Sequence, residues 1–294
     1  MRIRPVACMI SALVLVLSGA TAARAGGRQL LYYNHAWGTL DRATADAVEH
    51  SRYVKDFADL EVRTTTGADG KVWTGRYLRG RETYLEIFGL GDVPGSDGEP
   101  GSAGLGLSTE HDGDIEKLKT RLRGAGSNPI DFTQTRDFGD GKPVPWFDSV
   151  YLAEKYQRFG AWAMEYRDEY LNDPRGKVGP AKFPGDVTRE RYMPDAYKDK
   201  LMRDVTYLHL AITAADMTHT VPLLRAGGFA VRTEGRTVVA TCGGTTMRID
   251  EAPVEDIGLK RAEFALNRPA ALHVERLGTS TLVVGPGKHA VWTF

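Results

Sequence analysis

From residue 29 onward the chain alternates between two periods. QLLYYNHAWGTL has the β-branched and aromatic content of a strand, and Asp41 then opens DRATADAVEHSRYV, where Ala43, Ala47 and Val48 fall near one side of a helix. LEVRTTTGADGKVWTGRYLRG gives two alternating runs around Gly67-Ala68-Asp69-Gly70, a hairpin by its turn residues. RETYLEIFG reads as a further strand, so the pattern to Gly89 is β-α-β-β-β.

GLGDVPGSDGEPGSAG then interrupts all periodicity with Gly, Pro, Ser and Asp, as a surface linker does; its acids miss the spacing of a calcium loop. The pattern resumes with LGLSTEHDGDIEKLKTRLRGAG, a strand leading to a helix with Ile115, Leu118 and Leu122 on one face. DFTQTRDF, PVPWFDSVYL and FGAWAMEY complete a second unit. The two copies, about 29–89 and 103–167, each end on an apolar strand holding one glutamate: Glu86 in TYLEIFG and Glu165 in WAMEY. Residues 168–202 are charged and proline-rich, a connector. VTYLHLAIT, ADMTHTVPLLRAGG, FAVRTE, RTVVATCGG and TTMRIDEAP repeat the pattern once more over 203–294, with extra strands at the end. Pro222 predicts that this third helix is short or kinked.

Composition narrows the function classes. The 294 residues are 42% hydrophobic and 26% charged, with acids and bases equal in number, so no basic footprint marks a nucleic-acid partner. Kinase, P-loop and nucleophile-elbow signatures are missing. MRIRP, a short apolar stretch and Ala23-Arg24-Ala25 form a signal peptide over 1–25, cleaved after Ala25. The expected product is secreted or periplasmic and has no membrane span after cleavage. Its one remaining cysteine, Cys242, has no partner for an internal disulfide.

The repeated β-α-β-β-β units, with NHAWGTLD, TYLEIFG and LLRAGGFAV at corresponding places, resemble the vicinal oxygen chelate superfamily, the fold of glyoxalase I and the extradiol dioxygenases. The resemblance implies an α+β fold in which paired units, 26–167, curl a sheet around a cavity, with a further unit of the same kind at 203–294. It implies metal ligands on the first and last strands of each unit: His35, Glu86 and Glu165, with only Gly106 or Ser108 at the fourth position. Fe, Mn, Zn or Ni in the divalent state suits such donors, with Glu86 and Glu165 as catalytic carboxylates. Lyase, isomerase or dioxygenase chemistry on a small oxygenated molecule is the matching expectation. A non-catalytic protein that sequesters a small molecule is the alternative, and homodimerisation is a habit of the superfamily.

Strand alternation agrees in part. It places Tyr33 and Trp37 with His35, and Tyr84 and Phe88 with Glu86, each polar group on an aromatic face suited to a small-molecule pocket. Two readings compete for the carboxylates: Glu86 pairs with Arg79 or Arg81, and Glu165 with Arg158 or Arg167. Trp146, Phe147, Tyr151, Tyr156, Phe159 and Trp162 read as core, or else as an interface. His209 and Asp250 hold the corresponding places in the third unit and read as structural.

Overall fold

The computed structural model describes residues 28–294, so the expected signal peptide lies outside them. The first unit runs β1 (Tyr32–Leu40), α1 (Arg42–His50), α2 (Arg52–Phe57), β2 (Asp59–Thr66), β3 (Val72–Arg79) and β4 (Tyr84–Gly89). The helix expected from Asp41 is two helices. Ser51 ends the first, and its Oγ accepts from Val54 N at 3.1 Å to start the second, because a serine side chain competes for backbone N–H groups. The second unit runs β5 (Ala103–Ser108), α3 (Asp114–Gly124), β6 (Ile130–Arg136), β7 (Val144–Tyr151) and β8 (Phe159–Tyr166).

These strands form one eight-stranded sheet in the order β2-β3-β4-β1-β5-β8-β7-β6. In each unit the first strand pairs in parallel with the last, and β1 joins the units antiparallel to β5. The sheet curls until its outer hairpins meet. Ala68 N, at the tip of the β2–β3 hairpin, donates to Gln134 Oε1 on β6 at 2.7 Å.

The connector contributes two single-turn helices, α4 (Asp168–Leu171) and α5 (Arg189–Tyr192). Then come β9 (Met202–Ile212), α6 (Ala214–Ala226), β10 (Ala230–Glu234), β11 (Thr237–Cys242) and β12 (Thr245–Glu251), and finally β13 (Gly258–Ala270), β14 (His273–Leu277), β15 (Ser280–Val284) and β16 (Gly287–Thr293). The last four strands complete a second eight-stranded sheet, β10-β11-β12-β9-β13-β16-β15-β14, in the same order as the first. They make a half-sheet without a helix, which is why the sequence pattern shows them only as additions.

α6 continues through Pro222 for 13 residues, so the helix is not short. Tertiary contacts outweigh the lost hydrogen bond. Thr220, Leu223 and Leu224 are buried, and the carboxylate of Asp216 accepts from the backbone N–H groups of Gln157, Arg158 and Phe159 at 3.0–3.2 Å. Apolar residues of both sheets and of these helices form one continuous core. That leaves the opposite, concave face of each sheet free of core duty.

Candidate functional site: an aromatic cavity in the first sheet

The concave face of the first sheet encloses a cavity of about 300 Å³. Alternation delivers His35 and Trp37 from β1 and Tyr84, Glu86 and Phe88 from β4 to its wall, as the pattern predicted. Tyr33 departs from the prediction. A bulge between Tyr33 and His35 shifts the register, so Tyr33 turns into the core and its hydroxyl donates to the carbonyl of Tyr84 at 3.0 Å.

The glycines at the expected fourth ligand position have a steric purpose. Gly104 and Gly106 on β5 lie opposite Trp37 and His35. A Cβ at Gly104 would overlap the Trp37 indole, and one at Gly106 would overlap the His35 ring. The two β1 side chains therefore lie flat across β5. His35 stacks on Tyr84 with ring centroids 4.3 Å apart and meets Trp162 edge-on at 5.2 Å.

Glu165 is not part of this site. On β8 the cavity-facing residues are Gly160, Trp162, Met164 and Tyr166, so Glu165 falls one residue out of phase and points toward α3. Its carboxylate accepts from Thr109 Oγ1 at 2.9 Å, Gly113 N at 2.9 Å and Ile115 N at 3.0 Å, satisfying the free amides at the start of α3. Neither Arg158 nor Arg167 pairs with it: Arg167 binds Asp148 and Glu169, and Arg158 reaches Glu99.

His35 and Glu86 are both buried, with opposite results. Burial pulls the His35 imidazole down to about 3, so the ring is neutral. Asn34 Nδ2 donates to Ser108 Oγ and to the Tyr192 hydroxyl, which leaves Asn34 Oδ1 to accept from His35 Nδ1 at 2.8 Å. In this arrangement Nδ1 carries the proton and His35 Nε2 is an acceptor on the cavity wall. Burial pushes the Glu86 carboxyl up to about 7; the Tyr77 hydroxyl and the Arg63 guanidinium oppose the shift without cancelling it. Glu86 Oε1 has no hydrogen-bond partner. Both expected arginine partners are committed elsewhere, Arg79 to Asp59 and Glu61, and Arg81 to Glu82 and Asp204.

The donor set does not fit the divalent metal that the resemblance implied. His35 and Glu86 reach the cavity, but Glu165 faces away, and the β5 and β8 positions that could replace it are glycine, tryptophan and methionine. Among the described residues no three His, Cys, Asp or Glu side chains stand close enough to hold a metal ion.

Several wall residues escaped the sequence reading. Trp73 and Tyr77 on β3 line the cavity, and Arg63 on β2 lies 4.3 Å over the Tyr77 ring while pairing with Glu61 at 2.9 Å. Alternation in VWTGRYLR was the available signal, since Trp73, Gly75 and Tyr77 share a face. Trp146, Phe147, Tyr151, Tyr156 and Trp162, read as core or interface, are cavity wall, and Phe159 is core. The connector also contributes: Tyr192 stacks on Tyr166 at 3.7 Å, and buried Arg189 pairs with Glu82 and Glu110.

Solved structures with similar folds include a hypothetical protein from Staphylococcus aureus, with a TM-score of 0.53 at 10% identity over 84% of this chain and 96% of that one. The 2,3-dioxygenase LapB from Pseudomonas sp. KL28 has a TM-score of 0.45 at 13% identity over 89% and 91%. The Mn(II)-bound glyoxalase from Novosphingobium aromaticivorans has 0.41 at 10% over 89% and 81%. None of the curated proteins matches the chain. The strand order, with the first and last strands of each unit paired in parallel, is that of the glyoxalase-like, vicinal oxygen chelate fold. On that fold the chain belongs to the family of unknown function DUF5829, whose model matches residues 33–294.

Proposed function

We propose that this chain is an exported small-molecule-binding protein that holds a mostly apolar ligand in the cavity of its first sheet, without a metal. The observation that carries this reading is the make-up of the wall: aromatic faces surround two polar groups, His35 and Glu86, neither of which is paired with a charged side chain. Small-molecule sites are mostly apolar with a few converging polar groups, and about 300 Å³ admits a molecule of one or two rings. The superfamily's metal chemistry has less support here, because its third donor, Glu165, serves α3 instead.

Four of the five tryptophans, Trp37, Trp73, Trp146 and Trp162, line the cavity, so ligand binding should change tryptophan emission. 2-Phenylethanol is expected to give a saturable change with the mature protein. Gly160→Leu should abolish it while leaving the circular dichroism spectrum intact, since a Cβ at Gly160 meets only Tyr156, at 3.7 Å, and the rest of the side chain fills the cavity. An unsaturable response, or an unchanged one in the variant, overturns the reading. Export is checked by N-terminal sequencing of protein recovered outside the cytoplasm, which should begin at Gly26.

A further inference from the structure

We propose that the cavity selects an organic ammonium, a small aromatic molecule carrying a protonated amine, an inference that rests on the binding reading above and names its ligand class. Three features converge on this class. The polar groups of the floor are acceptors: His35 Nε2 carries a lone pair where Asn34 takes a proton-bearing Nδ1, and Glu86 brings to the wall a carboxylate that no ion pair neutralises, its Oε1 buried and unbonded. The rings around them, among them Trp37, Tyr84 and Trp162, present π faces, whose negative quadrupole attracts cations.

Third, among the described residues no ion pair reaches Glu86, although Arg136, which holds no carboxylate there, lies 5.1 Å over the Trp146 ring. Arg79 and Arg81 hold other acids, and Arg63 is engaged with Glu61 and with the face of Tyr77, showing that this wall already accepts a cation. At the mouth, Lys71 pairs with Asp69 at 2.9 Å, while Asp97 has no ion-pair partner among the described residues. A buried carboxylate facing a neutral imidazole and aromatic faces is satisfied by a ligand that brings both N–H donors and positive charge. A neutral alcohol of the same shape brings only the donor.

The test compares phenethylammonium with 2-phenylethanol on the mature wild-type protein at about pH 8, where the carboxylate is ionised and the amine protonated. Tryptophan emission reports binding, and Trp292, in the second sheet, contributes only a constant background. The expected result is that the ammonium binds at least about tenfold more tightly than the alcohol, and that Glu86→Gln brings the two affinities together while the circular dichroism spectrum stays unchanged. Equal binding of the two probes to the wild type overturns the ammonium proposal and leaves the cavity reading standing. An ammonium preference that survives Glu86→Gln also overturns it, by moving the recognition elsewhere. Failure of both probes at about 10 mM overturns the two readings together.

Discussion

The two sheets share one strand order and use their concave faces in opposite ways. In the first, His35 and Glu86 are 4% and 5% exposed, stand among aromatic rings and do not satisfy one another. In the second, the groups at the corresponding strands, His209 and Asp250, have 29% and 27% of their side chains exposed and bond at 2.7 Å. Arg248 joins them at 3.0 Å, and Arg261, Glu263 and His289 form another ionic chain nearby. One scaffold thus yields a hollow with unmet polar groups and a face whose charges cancel in water. The hollow is where a ligand has energy to gain.

The largest contrast should come from Glu86→Gln. Its carboxyl is raised to about 7 in the folded protein, with neutral His35, Tyr77 and Arg63 facing it and none of them titrating nearby. Below about pH 4.5 the group is protonated in both folded and unfolded chains and makes no difference. Between about pH 4.5 and 7 only the unfolded chain releases the proton, so wild-type stability falls against the variant by up to about 3 kcal/mol and then levels off. Denaturant unfolding across that range measures it; a difference that does not move with pH would mean that the Glu86 carboxyl titrates in the folded protein as it does in the unfolded chain.

Gly106→Ala is the next step down. The new methyl collides with the His35 ring and comes within 2.9 Å of Met164 Cε, so the ring must leave its place on Tyr84 and its bond to Asn34. Overpacking of this kind costs about 1–3 kcal/mol. Unfolding should show that loss together with weaker ligand binding, and an unperturbed protein would show that His35 is not fixed by β5. The smallest effect belongs to the second sheet. Asp250→Asn breaks a half-exposed pair worth no more than about 1 kcal/mol, and should leave probe binding in the first sheet unchanged. A loss of binding there would couple the two faces.

Much of this was legible in the chain. Turn residues and a period of two located β1 to β8, and the recurrence of β-α-β-β-β announced a repeated sheet. The same alternation placed His35, Trp37, Tyr84, Glu86 and Phe88 on one wall. It failed wherever phase was lost: the bulge after Tyr33 turned that ring into the core, and matching Glu165 to Glu86 by apolar context ignored that Met164, its neighbour, holds the inward position. The helix-less unit β13–β16 was unreadable because its only signal, a run of strands, looks like an appendage until the sheet closes.

The amino-acid sequence by itself determined the periodicity, hence the strands, the helices and the face each side chain could take, because these depend on neighbours two to four residues away. It also determined that Glu86 would lie in an apolar setting. Only the tertiary structure decided whether that carboxylate met an arginine, a metal set or nothing. That outcome depends on which side chains from β2, β3, β5 and β8 converge when the sheet curls, and a shift of one residue on any of them replaces a carboxylate with a tryptophan or a methionine.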